Sequence, residues 1–193
     1  MFIENSSVKD SVSSAVTQNS GSQETAGAKG YFTVECRDAA GNVKWVEHTP
    51  NLVVNVGLQD MNTKYFTGSS YTAAWYLGLY GSGSTNDPAA SDTMSSHAGW
   101  TEVTAYSQAT RPACSFGTAS TANPSVISNS GSAATFSINA TTTVGGAFLT
   151  SNNTKGGTTG TLFSASDFTS PGDRAVVSGD TLTVTYTFSL TAT

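Results

Sequence analysis

The sequence predicts an all-β protein: an antiparallel β-sandwich or jelly-roll-like domain with one short helix and a flexible N-terminal arm. The first observation is the stretch 181–191, where apolar residues alternate with Thr and Ser. Successive side chains of a strand point to opposite faces, so this stretch predicts a long strand with one apolar face and one hydroxyl face. The second observation is the regular spacing of turn signals between short strands, without any strand–helix–strand rhythm or fixed repeat.

Residues 1–28 are predicted to form the flexible arm, and residues 29–193 a single β-sandwich domain. Ser, Asn, Gln, Gly and Ala dominate the arm, which cannot bury enough apolar surface to order by itself. Its Val8, Val12 and Val16 are spaced four apart, which would place them on one face of a short helix. The arm is therefore either a disordered tail or a segment that orders against a neighbouring subunit through these candidate contacts.

The first part of the domain reads as a hairpin, a helix and a buried strand. YFTVECRD and VKWVEHT are predicted strands joined by a tight turn containing Gly41. Apolar residues at three- and four-residue spacing within 51–66 predict the helix, capped by Asn51 or Asn55 and ended by Gly68. Its Met61 and aromatic residues are interpreted as core contacts. The apolar run 73–80 predicts a strand that is buried on both faces.

The remaining elements are short strands separated by polar connections. A polar loop of nearly twenty residues spans 81–99, and loops of this length usually carry function or move. WTEVTAY is a predicted strand, Pro112 to Phe116 a short edge strand, and 118–132 an exposed connection. AATFSIN, TTVGGAFLTSN, TLFSASDF and AVV are predicted strands, with a bulge at Gly145-Gly146.

Composition favours an extracellular or particle-bound β protein. Hydrophobic residues are 37% of the 193 and charged residues only 11%, while roughly three residues in ten are Ser or Thr. With a net charge of −5 and eight Lys plus Arg, the chain is not expected to bind nucleic acid or an anionic membrane. No apolar run reaches transmembrane length, and the start MFIENSSVKDSV lacks a secretory signal. These features predict a protein that is made in a cytosol and either acts there or leaves by lysis or assembly.

Reactive side chains are few, and no catalytic residue, metal site or cofactor is predicted, so the chain is not expected to be an enzyme. A metal set of Asp87, Asp92 and His97 matches no known ligand spacing. Glu35, Glu47 and Glu102, the candidates for paired carboxylates, are interpreted as solvated on outer strand faces. A hydrolase is therefore the least favoured function.

The two cysteines and the exposed aromatic residues leave alternatives open. Cys36 and Cys114 are either reduced and half-buried, or joined by a disulfide if their strands are neighbours. His97 lies in the long loop and is interpreted as an ordinary histidine or a partner contact. Tyr71, Tyr80 and Tyr106, near strand ends, are kept as candidate contacts.

Several segments, taken in order, resemble small structural proteins of tailed-bacteriophage virions. They are VKWVEHTPNLVVNVGLQDMNTKYF, AAWYLGLYGSG, GWTEV and the C-terminal run from FSINATTTVGGAFLTSNN to VVSGDTLTVTYTFSL. The resemblance covers about residues 30–193, and it brings no catalytic residues. It implies a capsid decoration (cement) protein on the virion surface, binding the major capsid protein and itself as a homo-oligomer. The alternative is a tail- or head-attached fibre or adhesin, whose loop 81–99 and turn 151–160 would bind a host glycan or protein.

The last strand also suggests a contact surface for such a protein. Its hydroxyl face carries Thr183, Thr185 and Thr187, an uncharged and flat row. A face of this kind is poorly protected against pairing or packing with another chain. We therefore expect these three residues to be candidate partner contacts.

Overall fold

The structure, a computed structural model, describes residues 26–68, 71–81, 88–169 and 172–192. These residues form a mostly β protein with antiparallel sheets, twelve strands, one α-helix and one short 3₁₀ turn. The helix α1 is Asn55–Phe66. The strands are β1 Ala26–Arg37, β2 Val43–Pro50, β3 Leu52–Val53, β4 Tyr76–Gly81, β5 Thr101–Glu102, β6 Ser125–Ser128, β7 Ala134–Ser137, β8 Thr142–Val144, β9 Gly146–Thr150, β10 Leu162–Asp167, β11 Arg174–Val176 and β12 Thr181–Ala192.

The first sheet is built around β12, the long last strand. β1 pairs with β12 along its whole length, from Ala26 opposite Ala192 to Arg37 opposite Thr181, and β2 continues the sheet beyond β1. On the other side β7 pairs with the first half of β12 and β6 with the second half. The backbone of β12 is therefore hydrogen-bonded on both edges, so this strand offers no free edge to another chain.

The second sheet has the order β3–β10–β9–β4–β5, and all its pairs are antiparallel. A separate two-stranded ribbon joins β11 to β8. Gly78 in β4 allows the Phe148 ring to lie across this sheet, since a Cβ there would come within 2.1 Å of the ring. Gly145 separates β8 from β9, so the predicted bulged strand is two strands in different sheets.

One large hydrophobic cluster contains residues of both sheets. Apolar residues of β1 and β12 join those of β4, β9 and β10 in it, including Val34, Val184, Leu79, Leu149 and Phe163. A smaller cluster lies on the opposite face of the second sheet, where Val54, Met94 and Trp100 cover β4, β9 and β10. The second sheet is thus apolar on both faces, which explains why β4 reads as a continuous apolar run.

The β-rich character, the first hairpin, the helix and the last strand are confirmed. Leu182, Val184 and Tyr186 are fully buried, as the alternation predicts, whereas Leu190 is exposed near the strand end. Residues 26–28, which the prediction assigned to the arm, lie in β1, where Ala26 pairs with Ala192. Val8, Val12 and Val16 lie outside the described residues.

Several short elements differ from the sequence prediction. Residues 112–116 form no strand, and only an isolated bridge joins Ala113 to Tyr76. The predicted strand 100–106 is reduced to Thr101–Glu102. In contrast, β6 lies within the segment 118–132 that was predicted to be an exposed connection, because Ser125–Ser128 pairs with the second half of β12. The reason is common to all three: pairing with a distant strand decides whether so short a segment is a strand.

Candidate functional site

Helix α1 is attached to the second sheet through its first turn. A Cβ on Gly57 would lie 2.4 Å from the carbonyl oxygen of Phe163, so the helix backbone approaches β10 closely. The N-cap residue is Val54, without a side-chain cap, so the predicted caps Asn51 and Asn55 are wrong. Asn51 instead donates to the Tyr186 hydroxyl at 2.9 Å. Gly68 follows the helix in a left-handed conformation, in line with its predicted role as the helix end.

The outer side of α1 exposes large apolar side chains. Tyr65 is 81% and Phe66 75% exposed, and their rings contact each other edge to face at 4.9 Å. Leu58 lies two turns earlier on the same stripe as Tyr65 and is 39% exposed. The interpretation of the helix aromatics as core contacts is therefore wrong for these two rings. We call Leu58, Tyr65 and Phe66 the α1 surface.

A cleft of about 440 Å³ opens beside the α1 surface and leads into the space between the two sheets. Met61 and Lys64 of α1 form one side of it, and Tyr71, Trp75 and the β6 residue Ile127 lie on other sides. Its remaining lining comes from α1, the segment 71–75, both sheets and the segment before β6: Asp60, Tyr65, Ala73, Phe116, Leu149, Phe163, Tyr186 and Phe188. We call this the α1 cleft. Its walls are almost wholly apolar, so it suits an apolar occupant.

The two tyrosines with raised phenol pKa values that line the α1 cleft, Tyr186 and Tyr71, both have polar or charged neighbours. Burial raises the pKa of the Tyr186 phenol, whose oxygen accepts from Asn51 and from Ser164 at 3.3 Å. Burial also raises the pKa of Tyr71, and the Lys64 ammonium lies 4.8 Å from the centre of its ring. Both phenols are therefore neutral at physiological pH. The cleft has the chemistry of a binding surface and presents no activated nucleophile among these groups.

The candidate contacts in the long loop are part of the structure that covers the second sheet. His97 stacks on Trp100 at 3.9 Å, and its Nδ1 lies 3.0 Å from the Trp100 carbonyl oxygen. The Trp100 indole donates to Asp92, which also accepts from the Ala89 amide. Asp87 lies outside the described residues, and the residues that are described contain no cluster of metal-ligating side chains. Asp92 and His97 are thus brought near one indole, which they position.

Tyr80 and Tyr106 are buried, so neither side chain lies on a surface of the monomer. Tyr80 is 2% exposed and donates to Asp167 at 3.1 Å. Tyr106 is fully buried, with the Lys155 ammonium 4.3 Å from its ring centre, and burial raises the pKa of its phenol. Their positions near strand ends made them candidate contacts, but Trp100 packs against the Tyr80 ring and Lys155 against the Tyr106 ring. Tyr71, in contrast, is 43% exposed at the α1 cleft.

The threonine row of β12 is only partly available. Thr183 and Thr185 are half-buried on the outer face of the first sheet, while Thr187 is 7% exposed and bonded to Ser128. The face is also not uncharged: β1 places Glu35 directly opposite Thr183. Thr187 is therefore a poor contact residue.

The carboxylates considered for hydrolysis are all paired with arginines. Glu35 binds Arg37 at 2.6 Å on the surface, and Glu47 binds Arg174. Arg111 is 1% exposed and holds Glu102 through two bonds of 2.9 and 2.7 Å.

The interpretation of Glu47 and Glu102 as solvated is wrong, because each is largely buried against its arginine. Arg111 also donates to the carbonyl oxygens of Asn152 and Gly157, which anchors the turn 151–160. Nothing local in the sequence signals this arginine, since its partners lie 9 to 46 residues away. Arg111 thus ties its own segment to β5 and to the turn 151–160.

Both cysteines are buried and free. Burial raises the pKa of Cys36 to about 11 and that of Cys114 to about 12. Thiols with such pKa values remain protonated at neutral pH and are poor nucleophiles. Of the two alternatives for these residues, the structure has the reduced one.

No family model matches this chain, and comparison with curated proteins and with solved structures gave no match. In the part of the chain that the structure describes, no helix is both long and apolar enough to cross a membrane. The α1 surface and the α1 cleft are therefore defined by geometry alone, and they form the candidate functional site.

Proposed function

We propose that this protein is a bacteriophage virion structural protein, a capsid decoration protein that binds the outer head shell through the α1 surface. The observation that carries the proposal is the exposure of Tyr65 and Phe66 on a weakly charged, hydroxyl-rich chain. Exposed aromatic residues are enriched at protein–protein contacts, where burial of a ring contributes much of the affinity. The resemblance of residues 30–193 to phage virion proteins supports the same conclusion.

The action of such a protein is mechanical. A ligand that binds only the assembled shell stabilises that state by mass action, in proportion to its concentration and affinity. Repeated sites on the shell multiply each weak contact. Apolar rings suit this role because their burial needs no matching charge, and the chain has few charges to offer. The partners are the major capsid protein and further copies of the chain on the virion surface.

We also infer that the two five-stranded sheets are the layers of a jelly-roll-like sandwich. The chain starts in the first sheet, passes to the second, returns to the first through β6 and β7, crosses to the second again with β9 and β10, and ends in the first with β12. Such crossings between layers are typical of jelly rolls. Methyl NOEs between Val184 or Val34 and Leu79 or Leu149 support the layered arrangement, and their absence contradicts it.

The direct test is binding to purified empty heads. The double variant Tyr65→Ser with Phe66→Ser removes both rings, and we expect its affinity in co-sedimentation to fall by about tenfold or more. A matched control is Val43→Ser with Val177→Ser, which removes two exposed apolar side chains elsewhere. Equal binding of the two double variants contradicts the proposal.

Copy number separates the decoration protein from the fibre or adhesin. A decoration protein occurs in proportion to the shell subunits, whereas a fibre is restricted to the tail or a few vertices. Quantitative mass spectrometry of virions measures this ratio. A low copy number together with binding on a glycan array favours the adhesin and refutes the shell assignment.

A further inference from the structure

A second space, of about 330 Å³, adjoins the α1 cleft along helix α1, and we call it the polar groove. Most of its lining side chains carry hydroxyl, amide or charged groups: Val56, Gln59, Asp60, Thr63, Lys64, Thr93, Gly160 and Thr161. Asp60 and Lys64 also line the α1 cleft, so the two spaces meet at these two residues. The molecule thus places an almost wholly apolar space directly beside a polar one.

The apolar space has the size and depth of a small-molecule site. The α1 cleft reaches the protein core, because Phe163, Tyr186 and Phe188 belong both to its wall and to the core cluster of the two sheets. Its volume of about 440 Å³ lies within the range of about 300–1,000 Å³ that is usual for ligand pockets. A methylene group occupies about as much volume as a water molecule in the liquid, roughly 30 Å³, so the cleft matches a chain of about 14 carbons.

The boundary between the two spaces carries one charge of each sign. Asp60 and Lys64 are one helix turn apart and half-buried, and in the described part of the chain neither forms an ion pair. The Lys64 ammonium lies instead 4.8 Å from the centre of the Tyr71 ring. A ligand head with a single charge would be attracted by one of these residues and repelled by the other. A head that carries both an anion and a cation offers a partner to each.

We propose that the α1 cleft and the polar groove together bind one molecule of a monoacyl phospholipid with a zwitterionic head. Its acyl chain fills the α1 cleft, and its phosphate accepts a charge-assisted hydrogen bond from Lys64. The ammonium of the head pairs with Asp60, and the glycerol hydroxyl meets the threonine hydroxyls of the polar groove. This inference goes beyond the proposed function, and its tests use no heads, so its failure leaves the head-binding proposal standing.

The direct test is titration of the full chain with myristoyl lysophosphatidylethanolamine below its critical micelle concentration. Trp75 lines the α1 cleft, so its fluorescence reports occupancy, and calorimetry gives the stoichiometry. We expect saturable binding of one molecule per chain. Myristate and monomyristin have the same acyl chain with one charge or none, and we expect them to bind about tenfold more weakly. Equal binding of the three ligands, or no binding of the phospholipid, overturns the inference.

Two neighbouring alanines provide a matched pair of variants that tests the position of the acyl chain. Ala73 and Ala74 are both exposed, and Ala73 lines the α1 cleft whereas Ala74 does not. Ala73→Glu puts a carboxylate into the apolar wall, so we expect the affinity for the lysophospholipid to fall about tenfold or more. Ala74→Glu adds the same charge outside the cleft, and we expect it to match the wild type. Equal affinities of the two variants overturn the inference.

A double variant tests the recognition of the head. Asp60→Asn with Lys64→Gln removes both charges and keeps the side chains similar in size. We expect this variant to bind the lysophospholipid as weakly as the wild type binds monomyristin, and to bind monomyristin as the wild type does. An unchanged preference for the zwitterion overturns the inference. Binding to vesicles of diacyl phosphatidylethanolamine without binding to the monomeric lipid also overturns it, because the ligand is then a membrane surface.

Discussion

The outer face of the first sheet and the α1 surface differ in how their side chains are satisfied within the chain. On the sheet, Thr33 bonds His48 at 2.8 Å, His48 contacts the Tyr31 ring, and Glu35 binds Arg37. On the helix, Tyr65 and Phe66 contact each other and are otherwise largely exposed. The side chains of the sheet face find their partners within the chain and need no further contact. Burial of the α1 rings against another surface, in contrast, is favourable, because it removes apolar area from water. The comparison identifies exposed aromatic rings, and not a row of hydroxyls, as the stronger signal of a contact surface.

The largest effect on stability is expected from a substitution at the point where α1 is attached to the second sheet. Gly57→Ala places a Cβ 2.4 Å from the Phe163 carbonyl oxygen, so the helix must move from β10. We expect the free energy of unfolding to fall by about 1–3 kcal/mol, as for other overpacked sites. Urea denaturation measures it. The control Gly27→Ala in β1 meets no atom within 4 Å, and a similar loss there would contradict the account.

The next effect is on binding to heads, when the outer face of the first sheet is substituted. Thr183→Lys with Thr185→Lys puts two charges on half-buried positions beside Glu35. Surface substitutions of this kind change stability by about 0.5 kcal/mol or less. We expect head binding to weaken less than in the Tyr65→Ser, Phe66→Ser variant. A larger loss for the lysine variant would make the sheet face the principal contact.

A smaller effect is expected for the stability of the free protein when the α1 rings are removed. Tyr65 and Phe66 are mostly exposed, so their burial contributes little to folding. We expect Tyr65→Ser with Phe66→Ser to change the free energy of unfolding by about 0.5 kcal/mol or less. Thermal unfolding followed by circular dichroism checks this. A loss as large as that of Gly57→Ala would show that the rings support the fold.

The smallest effect is expected for the reactivity of the two thiols, Cys36 and Cys114, one on each sheet's side of the core. Cys36 lies in the first sheet, and Cys114 lies beside Ala113, which is bridged to the second. Because their pKa values are about 11 and about 12, only about a thousandth or less of either thiol is ionised at pH 8. We expect neither to react with a thiol reagent at pH 8 until denaturant is added. Rapid labelling of one thiol in the native protein would show that the sheet next to that cysteine opens locally and exposes it to solvent.

The sequence predicted those parts of the fold that local pattern decides. Alternation identified β12, and a turn at Gly41 identified the first hairpin. The strand β6 and the pair of Arg111 with Glu102 depend on partners far along the chain, so no local pattern contains them.

The candidate site could be predicted only in part, for the same reason. The three- and four-residue spacing located α1, but spacing does not say which side of a helix meets a sheet. Gly57 decides this, because it lets the first turn approach β10. Tyr65 and Phe66 near the end of the helix then project outward. Tyr80 and Tyr106 were misjudged because burial near a strand end depends on the loops that cover it.

The central claim is that the α1 surface is the contact with the head. The most direct measurement is co-sedimentation with empty heads of three proteins in parallel: the wild type, Tyr65→Ser with Phe66→Ser, and Thr183→Lys with Thr185→Lys. The account predicts saturable binding of the wild type, a loss of about tenfold or more for the helix variant and near-normal binding for the lysine variant. Wild-type binding by the helix variant, with its fold intact, would contradict the claim.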